Sequence, residues 1–521
     1  MGIATTRIND RVLAAVGEGG NAVPEFEAHD GVCNGGVLFL LPALLSQGLL
    51  KTKDLYKIPE THYYGLESVL LTLAFMALAR IKNPEQLKQC RPGEIGRLIG
   101  LDRTPEVKCL REKIKLLSGQ NHAQELNRKL VDHWYAPNQE EELFLYIDGH
   151  VRVYFGELAN LPAKFVSRQK LCLNATTEYW VNDMQGLPVL MVTGELTQKL
   201  QAAIEGQIIP QLQKTILLPC AKAEPQSNEG LSVEVPAVPV TAPGAATATE
   251  PVATPWPENN GPQATPPVCT LIFDREAYDI PFFKRLWGNY QIAMLTYRKN
   301  VKDSWEEESF KDMVVTVLEQ QITMNLCEKK VTLGGVQFRE IRRLTDSGHQ
   351  TSIITNNQQI TTEQAAGRMF GRWSQENFFK YMIADYDFDK MIEYGVQAID
   401  ENKEVVNPQY RKLSQQLKKQ KDKTARLLVK MMEMMEKAIE VPVGQLPKLQ
   451  LKESDLIEKI NASRSQEQEI LNQREGVTRK IILKDMPGQQ RYDELKPESK
   501  MLMNIIKMIC YRAETVIVNL L

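Results

Sequence analysis

The sequence predicts an α/β protein in which a mixed sheet flanked by helices lies between two helical regions. Three observations support this prediction. Short apolar runs rich in β-forming residues alternate with helical patterns over residues 140–400. Leucines recur at three- and four-residue spacing over residues 36–135, and a helical pattern returns from residue 407 onward. At 521 residues the chain is too long for one compact core, which favours several domains.

The composition is that of an ordinary globular protein, with 43% hydrophobic and 25% charged residues. Eight cysteines are scattered without a C-x-x-C pair, which favours the reducing cytoplasm over disulfides or a zinc knuckle. No signal peptide is recognised, and the apolar stretches fall short of the ~20 residues of a membrane span. The net charge of −2 argues against a uniformly basic nucleic-acid coat but leaves room for local basic clusters.

Residues 1–135 are predicted to form a helical region. Within it, residues 91–117 read as a short helix, a turn and a longer helix that Pro105 opens with Thr104 as its N-cap. Two interpretations stay open, a helix-turn-helix unit that binds DNA or an ordinary helical hairpin with a solvated basic face. The basic residues of the second helix are Lys108, Arg111, Lys113 and Lys115.

A sheet is predicted from about residue 142, where the hydrophobic period changes to two. The segment LFLYIDGHVRVYFGEL indicates two strands joined by a turn at Gly149, with Asp148 ending the first strand. Strands follow in RQKLCLNATTEYWVND and GLPVLMVTGEL, and a helix follows in GELTQKLQAAIEGQIIPQLQ. The predicted domain covers residues 140–400 and has two insertions.

The first insertion covers residues 222–268. Ten prolines lie between Pro225 and Pro267 among Ala, Thr, Val and Glu, and no Lys or Arg occurs between Lys222 and Arg275. Such a composition buries too little apolar surface to offset the entropy of ordering. We therefore predict a disordered or polyproline-like surface insertion.

Regular structure is predicted again from CTLIFDREAYD, a strand that ends at Asp274, followed by a helix in PFFKRLWGNY and a strand in QIAMLTYRKN. The second insertion, residues 305–357, is β-rich, with a meander that turns at Gly334 and Gly348. A helix over residues 362–382, capped by Thr361 or Thr362, then carries the third acidic residue discussed below.

Residues 401–521 are predicted to be helical. Helices over 411–439 and 451–475, separated by prolines, indicate an antiparallel hairpin with a basic front and a methionine-rich back that packs. The basic residues are Arg411, Lys412, Lys418, Lys419, Lys421, Lys423, Arg426 and Lys430. The methionines are Met431, Met432, Met434 and Met435.

Three acidic residues are the candidates for chemistry. Asp148 and Asp274 each end a predicted strand, and Glu376 lies in the helical segment MFGRWSQENFFKYM. Carboxylates that converge at a sheet edge form a hard-oxygen site suited to Mg²⁺. The alternative is three unrelated surface acids.

The order of these elements is similar to that of an RNase H-like nuclease core, and the chain resembles the DDE-type transposases of bacterial insertion sequences. The resemblance rests on YIDGH, IFDREAYD and RWSQENFFK and covers residues 140–400. The segments GVLFLLPALLSQGLL and GRLIGLDRTPEV resemble the leading region of one such group. The resemblance implies an enzyme that cuts and rejoins DNA at the ends of a mobile element. It also implies a location in the bacterial cytoplasm, in association with the nucleoid when the enzyme is bound to DNA.

The resemblance also implies two Mg²⁺ ions about 4 Å apart, with Mn²⁺ as a substitute. Asp148 would bridge both ions, and Asp274 and Glu376 would each complete the shell of one. The implied partners are double-stranded DNA, as terminal inverted repeats and target, and a second copy of the chain in the DNA complex. Two alternatives remain, a catalytically inactive DNA-binding or regulatory relative and a nuclease without strand transfer.

Four basic residues are candidate DNA contacts. Arg372 and Lys380 lie four residues before and after Glu376, which places them on one helical face, where they grip phosphates or form an ion-pair ladder. The family's usual lysine seven residues after the glutamate is replaced by Ile at position 383. Alternation puts Arg339 and Arg343 on one strand face, either toward phosphates or as charges that guard an edge strand.

Overall fold

The computed structural model describes residues 7–136, 143–166, 169–194, 198–218, 266–317, 320–389, 395–397, 401–438, 446–486 and 491–520. The predicted insertion at 222–268 lies outside these residues except for its last three. Two compact units are present, one made of residues 1–155, 163–394 and 496–521 and the other of 156–162 and 395–495. The last helix therefore belongs to the first unit, whereas the sequence grouped it with the helical hairpin.

The N-terminal part of the first unit is helical, as predicted. Its third helix has no polar stripe and is buried on nearly all sides, so it forms the centre of an apolar cluster. The final helix of the chain packs into the same cluster with Leu502, Ile505 and Ile509 fully buried. These helices are α1 (Ile8–Ala15), α2 (Leu41–Ser46), α3 (Leu66–Leu78), α4 (Pro92–Leu98), α5 (Val107–Ser118), α6 (Ala123–Tyr135) and, at the end of the chain, α14 (Glu498–Leu520).

The α4–α5 segment differs from the prediction at the start of its second helix. Glu106, not Thr104, is the N-cap of α5. Thr104 is buried, and its amide donates to the carbonyl of Pro92 at 3.0 Å, which holds it in the turn. Lys113, counted in the basic face, is buried and contacts His62. The helix-turn-helix interpretation stays a prediction.

A mixed ten-stranded sheet forms the centre of the first unit. Its order is β2-β3-β1-β5-β6-β10-β9-β8-β7, with β4 paired to β3. The pairs β1–β5 and β5–β6 are parallel and the others are antiparallel. The strands are β1 (Phe144–Val153), β2 (Ala163–Val166), β3 (Leu171–Asn182), β4 (Pro188–Thr193), β5 (Cys269–Phe273), β6 (Ile292–Tyr297), β7 (Lys311–Val317), β8 (Gln320–Leu333), β9 (Val336–Leu344) and β10 (Gln350–Thr355).

The predicted turn at Gly149 is wrong, because β1 runs unbroken through it. Gly149 pairs with Tyr179 on β3. A Cβ atom at position 149 would lie 3.1 Å from the Tyr179 ring, so the glycine leaves room for the cross-strand aromatic side chain. Asp148 therefore lies inside a strand rather than at its end.

Helices cover both faces of the sheet, as the alternation along β1 shows. Leu145 and Ile147 pack in one apolar cluster, and Phe144 and Tyr146 pack in another. Residues 200–212 form α7 (Leu200–Ala203), a π-helical turn at Ile204–Ile208, and α8 (Ile209–Leu212). The remaining helices of this part are α9 (Ile280–Tyr290), α10 (Thr362–Phe370) and α11 (Trp373–Ala384).

The helix predicted over 362–382 is two helices, α10 and α11. Thr361 caps α10 in a reciprocal pair with Gln364: the Gln364 amide donates to Thr361 Oγ1 at 3.2 Å, and the Thr361 amide donates to Gln364 Oε1 at 2.8 Å. The first helix ends at Phe370, and Arg372 occupies the N-cap position of the second one without a side-chain capping hydrogen bond. This break places Arg372 at the junction between the two helices.

The predicted meander is confirmed in β8, β9 and β10. Gly334 and Gly335 turn between β8 and β9 with φ of 57° and 79°, and Gly348 turns between β9 and β10 with φ of 77°. These values lie in the left-handed region that glycine adopts without strain. The meander extends the sheet beyond β6.

The second unit contains the predicted helical hairpin. Its helices are α12 (Pro408–Ala438) and α13 (Leu446–Glu475), and it also has two short antiparallel pairs, β11 (Val396–Gln397) with β14 (Glu494–Leu495) and β12 (Glu404–Val406) with β13 (Lys480–Ile482). Met432 and Met435 are 67% and 53% exposed, so the prediction that the methionines pack is wrong for these two. Among the described helices, none is long and apolar enough to cross a membrane.

Candidate active site

Strand register brings the two aspartates together. In the parallel pair β1–β5, Ile147 lies opposite Phe273, so the next residues, Asp148 and Asp274, are neighbours across the two strands. The Gly149 amide donates to Asp148 Oδ1 at 2.8 Å, which orients that carboxylate. The side chains of Asp148 and Asp274 are 25% and 48% exposed, so Asp148 is the more buried of the two.

Arg372 joins the two aspartates. Its Nη2 lies 3.4 Å from Asp148 Oδ2, and its Nη1 lies 3.6 Å from Asp274 Oδ1. The Arg372 side chain is only 10% exposed. One guanidinium at the junction of α10 and α11 thus partly neutralises both carboxylates.

The start of α11, which carries Glu376, is fixed against the sheet. The neighbouring Gln375 is buried, and its Nε2 donates to the Tyr146 carbonyl on β1 at 3.3 Å and to Asn182 Oδ1 on β3 at 3.1 Å. Glu376 itself is exposed. Burial raises the pKa of Tyr297 on β6, and the charge of Glu376 raises it further, so the charge of Glu376 acts at this edge of the sheet.

The protonation of Asp148 reports the electrostatics of the site. Burial raises the pKa of its carboxyl group. Arg372 and the Gly149 amide act in the opposite direction, and Asp274 and Glu376 raise the pKa again. The charges of Asp274 and Glu376 therefore act on Asp148, but burial is the largest cause of its raised pKa.

Two further charged residues at this site were missed in the sequence. Burial raises the pKa of Glu276, and Asp148 and Asp274 raise it further. Burial lowers the pKa of Lys164 on β2 to about 8, and Glu276 opposes that shift. The Lys164 Nζ donates to Thr177 Oγ1 at 2.6 Å. Glu276 had a signal, its spacing two residues after Asp274, but Lys164 reaches the site only through strand pairing that no local pattern reveals.

Comparison with known proteins identifies the family. A family model described as "Transposase protein" matches residues 2–232 and 268–521. The chain belongs to this transposase family. Membership supports a DNA-cleaving and rejoining enzyme. The unmatched internal residues, 233–267, lie within the predicted proline-rich insertion.

Other comparisons with this transposase are weaker. No curated protein matches it. Among solved structures, the "Cryo-EM structure of piggyBac transposase synaptic complex with hairpin DNA (SNHP)" is similar at 11% identity and a TM-score of 0.29, covering 68% of this chain and 69% of that chain. A TM-score of 0.29 does not establish a shared fold.

The predicted DNA-contacting residues of the transposase lie in different surroundings. Lys380 is exposed on α11 and lines a cavity of about 490 Å³ with Tyr381 and, from α14, Tyr511. Arg343 is half-buried, with its guanidinium 5.4 Å from the centre of the Phe370 ring. Neither side chain touches the aspartates as Arg372 does.

Arg339 forms a buried ion pair with Glu328 and does not face solvent. It is 9% exposed and donates to both carboxylate oxygens of Glu328, at 2.7 and 2.8 Å. Its Nη1 donates to the carbonyls of Asn357 and Ile360 at 2.9 and 2.6 Å. The shared strand face with Arg343 is present, but the predicted phosphate-facing strip is not, because Glu328 on β8 holds the Arg339 guanidinium.

The carboxylates have the donor atoms that a metal ion needs, but their side chains are not arranged around a common point. All are hard oxygen donors, which Mg²⁺ and Mn²⁺ prefer. Yet in the part of the chain that the structure describes, no three His, Cys, Asp or Glu side chains form a group that could hold a metal ion. A metal ion would therefore require these side chains to move.

Proposed function

We propose that this transposase cleaves and rejoins DNA with a DDE-type site made of Asp148, Asp274 and Glu376. The observation that carries the proposal is the register of β1 and β5, which makes Asp148 and Asp274 neighbours, with Arg372 in contact with both. Glu376 follows Arg372 by four residues, about one turn of α11. The order β4-β3-β1-β5-β6, antiparallel and then parallel, supports an RNase H-like core.

The three carboxylates would hold the divalent ions, two Mg²⁺ with Mn²⁺ as a substitute. Bound ions would polarise the phosphodiester and supply an activated water or hydroxyl. Asp148 is the residue suited to bridge them, because it lies on the central strand β1 beside Asp274. Glu276 adds negative charge at the same edge and would raise the affinity of the site for cations.

Arg372 and Lys380 are the basic residues of this helix that would act on DNA. Arg372 orients Asp148 and Asp274, and its Nε has no hydrogen-bond partner among the described residues. That N–H is buried, so it would donate to a phosphate oxygen near the cleaved bond only after the Arg372 side chain moves. Exposed Lys380 would contact phosphate farther along α11, and Arg343 would contact DNA from the β-rich insertion.

The substrate in this proposal is double-stranded DNA carrying the terminal inverted repeats of a mobile element, with a target duplex as the second partner. The chain would act as a homodimer, because two ends must be held together for joining. An insertion-sequence origin in bacteria is part of the same proposal. Inverted repeats on both sides of the gene would support it.

The test is cleavage of a duplex made from the genomic DNA that flanks the gene. With Mg²⁺, the parent should cut and join this DNA, whereas Asp148→Asn, Asp274→Asn and Glu376→Gln should each lower the cleavage rate at least ~10³-fold. The same variants should bind the duplex in EDTA as the parent does. Asp312→Asn, an exposed acid on β7, is the matched control and should cut normally.

Three results would contradict the proposal. Parental cleavage by any of the three carboxylate variants would remove that residue from the site. Cleavage without joining would indicate a nuclease, and DNA binding without any cleavage would indicate a regulatory relative.

A further inference from the structure

One side of α12 carries a row of positive charges. The residues follow one another at spacings of seven, four, three and four positions. At about 100° per residue these spacings keep all five within roughly 60° around the helix axis, and at 1.5 Å per residue the row spans about 27 Å. The row, called the basic row below, consists of Lys412, Lys419, Lys423, Arg426 and Lys430.

The basic row is exposed and has no ion-pair partner within the described ranges of the chain. All five residues are exposed, and among the described residues none of them forms an ion pair. The described ion pairs of the second unit instead join Lys480 to Glu404 and Arg491 to Glu401. Arg339 in the sheet differs from the basic row, because it forms an ion pair with Glu328.

Packing between α12 and α13 fixes the direction of the basic row. Leu413 and Leu417 are buried on α12. Between the helices, the Gln420 Nε2 donates to Ser463 Oγ at 3.0 Å, and the Thr424 and Ser463 hydroxyls lie 2.7 Å apart. A polar layer of this kind fixes the register of paired helices. The centre of the basic row lies about 120° around α12 from the centre of these residues, so the row stays in solvent.

We propose that the basic row binds the phosphate backbone of a DNA duplex, as a contact surface additional to the carboxylate site. The choice of DNA as partner rests on the proposed function. One strand of B-DNA presents a phosphate about every 3.4 Å, so the length of the row matches roughly eight phosphates. The chain as a whole has a net charge of −2, so the attraction comes from this local cluster.

An acidic protein surface fits the basic row less well. Protein interfaces are depleted of lysine and depend on buried aromatic or apolar anchors at their centre. Four of the five side chains in the row are lysines, and no apolar residue belongs to it. Flexible ammonium groups act as point charges on phosphates and need no such anchor.

The test is the salt dependence of binding between the full chain and a labelled duplex of about 40 base pairs, in EDTA. The row variant is Lys419→Gln with Lys423→Gln. The matched control is Lys418→Gln with Lys421→Gln, which removes the same charge from exposed positions of the same helix outside the row. Glutamine keeps the helix propensity, and far-UV circular dichroism checks that both variants fold.

The row variant should lower the slope of log K against log salt by about 1.8, since each lost phosphate contact removes about 0.9. The control should lower it by less than about 0.5. Equal slopes for the two variants, or no change in either, would overturn the proposal. A change in self-association with DNA binding intact would overturn it in favour of a protein partner. Because EDTA prevents cleavage, the result does not depend on the carboxylate site.

Discussion

At the scale of single residues, Arg372 offsets only part of the negative charge that the sheet edge brings together. It contacts Asp148 and Asp274, but burial and the nearby charge of Glu376 still raise the pKa of Asp148. Glu276 lies in the same field and its pKa is raised as well. Such charge crowding opposes folding and favours cation binding, a common conflict at functional sites.

Asp148→Asn should stabilise the metal-free protein near neutral pH. The pKa of the Asp148 carboxyl group is higher in the folded protein than in the unfolded chain. The folded protein therefore loses stability as the pH rises from the unfolded-state pKa through the folded-state pKa, whereas Asn does not titrate. The melting temperature of the variant, relative to the parent, should therefore increase between pH 4.5 and pH 7.5. Thermal unfolding followed by circular dichroism in EDTA measures it.

Adding Mg²⁺ supplies the control for this stability difference. The ion should raise the melting temperature of the parent, because a ligand that binds only the folded state stabilises it, and should raise that of Asp148→Asn much less. A variant less stable than the parent at pH 7.5 in EDTA would contradict the electrostatic account.

At the scale of elements, two features that the sequence pattern did not predict determine where the site lies. Strand β1 continues through Gly149 and carries Asp148 past the end of β5, and the break between α10 and α11 puts Arg372 against the aspartates. The position of α10 depends on its contact with β7. A Cβ atom at Gly367 would lie 2.6 Å from the Thr316 carbonyl, so only glycine allows this approach.

Gly367→Ala should lower the free energy of unfolding by about 1–3 kcal/mol, because α10 must move away from β7. Gly206→Ala, in the helical segment that follows β4, is the control, since nothing lies within 4 Å of its added Cβ. The control should be neutral or stabilising by up to about 1 kcal/mol. Urea denaturation of both variants measures the difference, and equal effects would show that the α10–β7 contact does not limit stability.

At the scale of the whole molecule, α14 returns to the first unit after the chain has formed the second one. Its fully buried residues pack in the same apolar cluster as α3. Hydrogen bonds support this contact, since the Arg512 Nη1 donates to the Pro188 carbonyl at 3.0 Å. The end of the sequence is thus part of the core of the first unit.

Ending the chain at Leu495 should prevent the first unit from folding. Leu502, Ile505, Ile506 and Ile509 are fully buried, and their loss would remove about 6–12 kcal/mol of hydrophobic stabilisation. That is comparable to the whole stability of a typical domain. A chain ending at Ile517 lacks exposed Val518 and Leu520 and should unfold cooperatively like the parent. Cooperative thermal unfolding of the shorter chain would contradict the prediction.

Local patterns in the sequence predicted most of the helices and strands but few of the contacts between residues distant in the sequence. Period-two and helical patterns located the mixed sheet, the meander and the hairpin. Strand composition placed Asp274 correctly at the end of β5, but it also placed Asp148 at a strand end, whereas Asp148 lies inside β1. The continuity of β1 depends on Tyr179, a cross-strand neighbour, and no local signal reveals it. The pairing of Arg339 with Glu328 and the placement of α14 depend in the same way on residues distant in the sequence.

The central claim, that these carboxylates hold the catalytic metal, is tested most directly by the ion requirement of Asp274→Cys. Asp274 is 48% exposed, so the change disturbs little packing. A thiolate is a poor ligand for Mg²⁺ and a better one for the softer Mn²⁺. We expect cleavage with Mg²⁺ to fall at least ~10³-fold and Mn²⁺ to restore it at least ~10-fold, while Asp312→Cys behaves as the parent with both ions. Parental cleavage by Asp274→Cys with Mg²⁺ would contradict the account.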